Sequence, residues 1–200
     1  MNILVTGGRS PYTLELIRRL GAQGHTIICV EFFRFYLSWS SKYIQKSHLI
    51  SAPRLNFEKF KVQILSVIKQ EKIDIVIPTC EEIFYLAKIK TDIEKYAIPF
   101  FENFDVLNKV HNKESFIRGL EYKNLVAPRT YRFDDYENEL KNKQIILKRT
   151  YSRFATKVYK INESELTQFE FLNKSEWIIQ ECIIGSEVSC YCIVNNGRLV

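Results

Sequence analysis

Three parts of the sequence carry residue types whose order suits chemistry on phosphate or on a small charged ligand. Gly7-Gly8 separates an apolar run from a helical pattern, where a glycine turn can offer backbone N–H groups to a phosphate at a helix N-terminus. Glu31 closes the next apolar run, at the place of a ribose-binding acid. The dinucleotide fingerprint G-x-G-x-x-G is incomplete, however: Gly7-Gly8-Arg9-Ser10-Pro11-Tyr12 has no third glycine, and Pro11 and Tyr12 crowd the approach of a pyrophosphate. The same turn also fits a tight strand-to-helix connection that binds no dinucleotide. Pro78-Thr79-Cys80-Glu81-Glu82 follows the most apolar strand pattern, so Thr79, Glu81 and Glu82 are candidate substrate contacts; the acids equally suit the first turn of a helix. Cys80 has no sequence neighbour to activate it as a nucleophile. Lys148 ends the run Ile145-Ile146-Leu147, either as the strand's exit to solvent or as a buried cation aimed at phosphate, and Tyr151-Ser152-Arg153-Phe154-Ala155-Thr156 makes a short turn after it.

The elements that position these residues follow from periodicity. In the first half, strands are predicted over 2–6, 26–31, 73–79 and 98–101, and helices over 11–20, 57–68 and 81–96. Ser10 stands at an N-cap with Pro11 at the first helical position, and Gly21 and Gly24 stop that helix. Residues 32–56 read as irregular. Strands alternating with helices imply a parallel sheet covered on both faces. The second half has short helices at 105–110 and 113–122, strands at 129–133, 144–149, 156–161, 177–182 and 187–194, and a helix near 163–171. Asn196-Gly197 is a hairpin signal. A hairpin whose second strand has barely begun at Val200 cannot bury a face alone, so the sequence reads as part of a longer protein.

Composition narrows the classes. With 200 residues, 46% hydrophobic and 26% charged, the chain is neither disordered nor low-complexity. No run of about 18 apolar residues spans a membrane, and the opening Asn2-Ile3-Leu4-Val5 has no signal-peptide character, so a cytoplasmic setting is expected. The net charge of +6 is spread without a block of like charges, which argues against nucleic acid as a partner. Cys29, Cys80, Cys182, Cys190 and Cys192 are odd in number and form no Cys-x-x-Cys pair; they are expected to be reduced and buried.

Order and spacing together carry more than any single motif. Lys113 opening a helix, Ile146-Leu147-Lys148, and Gln180-Glu181-Cys182-Ile183-Ile184-Gly185-Ser186-Glu187 resemble the ATP-grasp superfamily across essentially all 200 residues. The phrases at 5–11, 78–82 and 151–156 resemble a stand-alone bacterial branch described as carbamoyl-phosphate-synthase-like. The resemblance implies an α/β protein: a Rossmann-like pre-ATP-grasp domain over 1–105, then an α+β ATP-grasp lobe over 106–200, incomplete at its C-terminus. It implies that Lys113 and Lys148 meet the phosphates of ATP and that the backbone of Glu181 and Ile183 bonds the adenine edge. Glu187 would take the ribose hydroxyls, with Ser152 to Thr156 as the loop over the phosphates. That loop lacks the family's glycines, which makes Arg153 a substitute phosphate ligand. Magnesium is implied, with its ligands expected beyond residue 200, so the chain alone is expected to be inactive. The implied activity is an ATP-dependent ligase that activates a small carboxylate as an acyl phosphate for an amine or similar nucleophile. Two other readings stay open: an NAD(P)-dependent reductase using Gly7, Gly8 and Glu31, and a non-catalytic nucleotide-binding module. A homodimer is compatible with any of them.

Overall fold

The computed structural model describes residues 1–200 except 124, 153–155 and 196, with residues 121 and 195 described by backbone alone. The chain divides into two units, Met1–Lys109 and Val110–Val200. In the first, β1 (Asn2–Thr6), α1 (Pro11–Ala22), β2 (Thr26–Glu31), β3 (Ile44–Leu49), α2 (Phe57–Gln70), β4 (Ile75–Ile77), α3 (Glu82–Ala87), α4 (Lys90–Ile93) and β5 (Ile98–Pro99) follow one another, and α5 (Phe104–His111) spans the division. The strands form one parallel sheet in the order β3-β2-β1-β4-β5. Side chains alternate across a strand. Leu4, Ile28, Val30 and Val76 therefore pack with Phe60, Ile64, Leu86 and Ile93 on one face, while Ile3, Val5, Ile27 and Cys29 pack with Ile17 on the other. Burial on both faces is why β1 and β2 read as unbroken apolar runs.

The chain steps from β1 to β2 and β3 on one side of the sheet and to β4 and β5 on the other. Open parallel sheets bind ligands at such a switch point, outside the carboxyl ends of the strands. Residues 7–10 follow β1 and residues 78–81 follow β4, so both connections meet at that crevice.

Several expectations for this unit are corrected. Residues 32–56 contain β3, a polar edge strand; the outward-facing Lys46 and His48 both bond Glu71 at 3.0 Å. An edge strand needs only one buried side, so apolar alternation does not reveal it. The strand over 73–79 is only Ile75–Ile77, and the helix over 81–96 is two short ones. Gly21 lies inside α1, where a Cβ would stand 2.6 Å from the Tyr43 ring; Gly24, with φ +84°, ends the turn. Ser10 is the N-cap residue but makes no side-chain capping bond.

The second unit holds α6 (Lys113–Tyr122), β6 (Thr130–Arg132), β7 (Gln144–Arg149), β8 (Val158–Asn162), 3₁₀ turns at Glu163–Phe169 and Lys174–Glu176, β9 (Trp177–Glu181), β10 (Val194–Asn195) and β11 (Arg198–Leu199). Four strands form an antiparallel sheet in the order β6-β9-β7-β8. Ile145, Leu147, Trp177 and Ile179 point to one face and pack with Phe133, Leu140 and Leu166. The helix expected near 163–171 is a 3₁₀ helix with a capping box from Asn162 and Glu165. The strand expected over 187–194 is reduced to β10, which pairs with β11 around a turn whose residue 196 lies outside the described residues. Val188 and Tyr191 pair with no strand among the described residues and are exposed, and so are Cys190 and Cys192, against the expectation of burial; Cys29 and Cys80 are buried and Cys182 is half-buried. Among the described residues no helix is long and apolar enough to cross a membrane.

Ile64 is fully buried between α2 and the sheet. Ile64→Ala is expected to lower stability by about 2–5 kcal/mol through lost transfer energy and a residual cavity, read as a drop in the urea midpoint.

Candidate functional site

The alternation that sends Leu147 into the core of the second unit places Lys148 on the opposite face of β7. Its Nζ donates to Gln180 Oε1 at 2.7 Å, and Gln180 Nε2 donates to Thr130 Oγ1 at 2.7 Å. Thr130 Oγ1 in turn donates to the Pro128 carbonyl at 2.8 Å. An ammonium only donates, so this chain fixes the amide: oxygen toward the lysine, nitrogen toward the threonine. Lys113 arrives from the first turn of α6. Its backbone N–H donates to the Thr150 carbonyl at 3.2 Å, and its Nζ donates to the Ser152 carbonyl at 3.0 Å. Asn112 caps the helix by accepting from the Ser115 N–H at 3.0 Å, and its amide nitrogen donates to Tyr151 Oη at 2.9 Å. The start of α6 and the exit of β7 are thereby tied together.

Among the described residues neither amine meets a carboxylate. Burial holds both below the usual lysine range, and for Lys148 the positive charge of Lys113 adds to the effect. Two like charges on a half-buried face are relieved by an anion, and ammonium groups bind phosphate oxygens as point charges.

The other implied nucleotide contacts are more dispersed. Ser152 takes part through its carbonyl, while Arg153 lies outside the described residues. Glu181 ends β9, where Arg129 holds its carboxylate through two bonds of 3.1 Å and lowers its pKa. The Glu181 N–H donates to the Arg129 carbonyl at 2.8 Å. Ile183 and Glu187 follow β9 and are exposed. The structure thus brings Lys113, Lys148 and the Ser152 backbone together, and leaves Ile183 and Glu187 on an irregular stretch after the strand. The amine pair fits a polyphosphate. Magnesium finds no such fit: the only grouping of metal-ligating side chains among the described residues is Cys80, Glu81 and Glu82 in the first unit, where Arg9 already pairs with both acids.

The first-unit crevice is organised by Arg9, which the sequence did not single out. Arg9 Nη1 meets Glu31 Oε1 at 2.9 Å; Nη2 meets Glu82 Oε1 at 2.7 Å and Glu81 Oε2 at 3.5 Å. Its guanidinium stands over the Phe32 ring at 5.2 Å. Glu31 also accepts from the N–H of Arg9 and of Phe32, each at 3.2 Å. Glu31 and Glu82 are buried, and Glu81 is exposed. Thr79 Oγ1 donates to the Thr6 carbonyl at 2.6 Å and accepts from Thr13 Oγ1 at 2.6 Å, so its hydroxyl joins β4 to β1 and α1. The two glycines are packing sites: a Cβ on Gly7 would stand 2.5 Å from Thr79 Oγ1, and one on Gly8 would stand 2.7 Å from the Tyr36 ring. The acid placed for a ribose is held by Arg9, and the glycine turn is filled by side chains, which removes the support for a dinucleotide there.

No family model matches the chain, and no curated protein does. Solved structures do. An L-amino acid ligase from Bacillus licheniformis superposes with a TM-score of 0.67 at 15% identity, over 92% of this chain and 44% of that one. The chain has an ATP-grasp-like fold. N5-carboxyaminoimidazole ribonucleotide synthetase from Thermotoga maritima matches with a TM-score of 0.64 at 14% identity, over 91% of this chain and 46% of that one. The biotin carboxylase domain of Hydrogenobacter thermophilus 2-oxoglutarate carboxylase, solved with magnesium ADP and bicarbonate, matches with a TM-score of 0.65 at 13% identity, over 91% and 44%. The chain therefore spans about half the length of these structures.

In this ATP-grasp-like fold the two charge clusters respond oppositely to mutation. Arg9→Met strands two buried carboxylates and is expected to cost about 3–5 kcal/mol at pH 7 by chemical denaturation, the loss shrinking as acid protonates Glu82, whose carboxyl burial already pushes upward. The lowered amine of Lys148 works the other way. The unfolded chain binds more protons between the folded pKa and 10.5, so wild type should gain stability relative to Lys148→Met as pH rises through that window. Paired denaturation curves at neutral and alkaline pH measure this.

Proposed function

We propose that the chain supplies the nucleotide-binding part of an ATP-grasp ligase acting on a small carboxylate in the cytoplasm. The observation that carries the reading is the amine pair of Lys113 and Lys148, half-buried on one face with no carboxylate partner among the described residues. In this reading both amines bind the ATP phosphates together with Ser152 and Arg153, the latter outside the described residues. The backbone of Glu181 and Ile183 bonds the adenine edge, and the Glu187 carboxylate accepts from the ribose hydroxyls. Thr79, Glu81 and Glu82 stand at the switch-point crevice of the first unit, as candidate substrate contacts.

The whole protein's reaction would run in two steps. A carboxylate oxygen attacks the γ-phosphorus of ATP, the bond to the β–γ bridging oxygen breaks, and ADP leaves an acyl phosphate behind. An amine then attacks the acyl carbon, loses a proton and expels phosphate, leaving an amide. Phosphoryl transfer depends chiefly on positioning and charge neutralisation, and the two amines supply part of that neutralisation. The described residues of the second unit offer no ligand set for magnesium. The likeness to an L-amino acid ligase and to a domain solved with magnesium ADP supports this class of reaction.

Calorimetric titration with ATP tests the assignment. Lys148→Met is expected to weaken binding about 10–100-fold, as for loss of a charged hydrogen bond, and Glu187→Gln to weaken it less. Wild-type affinity in both variants would overturn the site.

A further inference from the structure

The crevice of the first unit holds a charge imbalance that its own residues do not resolve. Two buried carboxylates, Glu31 and Glu82, share one guanidinium, that of Arg9. Glu31 is satisfied at both oxygens, by Arg9 and by the Phe32 N–H. Glu82 is satisfied at one. Its Oε2 is buried without a hydrogen-bond partner, and the same is true of Thr6 Oγ1 at the carboxyl end of β1. Both residues line a single cavity of about 10 Å³, together with Glu31 and the apolar side chains of Ile50, Pro53 and Phe60.

A buried carboxylate oxygen with no donor costs free energy, and most such atoms in folded proteins are met by protein, water or ligand. The cavity has room for one group the size of a water molecule. We propose that this cavity binds a primary ammonium group, which donates to Glu82 Oε2 and Thr6 Oγ1 and balances the charge of the two buried acids. An ammonium carries three donors and no acceptor, so it can meet both the carboxylate oxygen and a lone pair of the Thr6 hydroxyl, whose own O–H remains a donor. A water would meet the same oxygens but leave the negative charge in place. A bare metal ion is less suited, because Arg9 already occupies the other oxygen of Glu82. Ile50, Pro53 and Phe60 make the rest of the wall apolar. Burial pushes the Glu82 carboxyl above the usual range despite Arg9, as expected of a site short of positive charge. The site uses first-unit residues alone and does not depend on ATP binding by the lysine pair.

The test replaces sodium chloride by methylammonium chloride at constant ionic strength and follows the melting temperature, without ATP. Ammonium and ethylammonium chlorides form parallel arms that separate the bare ion from an alkylamine head group. Tetramethylammonium, which has no N–H, and potassium, which has the charge and size but no donors, are the controls. The wild type is expected to be stabilised by at least one N–H-bearing cation above both controls. In Glu82→Gln and in Thr6→Val, half-maximal stabilisation should require at least tenfold more of it. Thr6→Val removes a hydroxyl that bonds nothing, so that variant should fold at least as stably as wild type in sodium chloride, which keeps the test decisive if Glu82→Gln does not fold. Equal stabilisation by either control, no stabilisation by any of the three cations, or an unchanged response in Thr6→Val would overturn the proposal.

Discussion

Two ammonium groups on one half-buried protein face repel each other, and among the described residues no carboxylate meets either of them. That constraint governs the second unit. Lys148 cannot turn away, because Leu147 and Ile145 anchor β7 in the core and Gln180 grips its amine. Lys113 cannot swing out freely, because its backbone and its amine both bond the chain just after β7. The rigidity of the sheet and the tie from α6 hold the repulsion in place; under the proposed function a polyphosphate would turn it into attraction.

The first unit solves the reverse problem. Its buried charges are mostly negative, and one arginine draws them together at the switch point of the parallel sheet. The glycines before Arg9 let the chain pass so close to Thr79, Cys80 and Tyr36 that no side chain fits. The turn that resembles a phosphate cradle in sequence is a packed junction that delivers Arg9 to Glu31 and Glu82. The same local pattern can serve either purpose; what decides is whether the space above the turn is empty or filled.

Much of the architecture was legible in the sequence because burial imposes period and run length. β1, β2, β7 and β9 lie in sheet interiors, and their apolar residues mark them within a residue or so. β3 escaped because an edge strand tolerates Lys46 and His48 on its solvent side. The 187–194 segment misled for the opposite reason: its alternation is real, but a ladder needs a neighbouring strand to accept it. The order along the chain singled out Lys113 and Lys148, whereas nothing local singled out Arg9, since no pattern distinguishes a surface arginine from one that joins three acids.

The sequence by itself determined which residues are apolar, with what period, and hence the parallel sheet, the antiparallel sheet and the lysine at the end of an apolar strand. Only the tertiary structure decided which charges meet. Glu31 and Arg9 are separated by a helix and a strand, and Lys113 and Lys148 by a longer stretch, yet each pair shares one small environment. Hydrophobic burial is roughly proportional to area and leaves a periodic trace in the chain. Electrostatic and hydrogen-bonded contacts depend on distances of a few ångströms between residues far apart in sequence, and they exist only once the packing has brought them together.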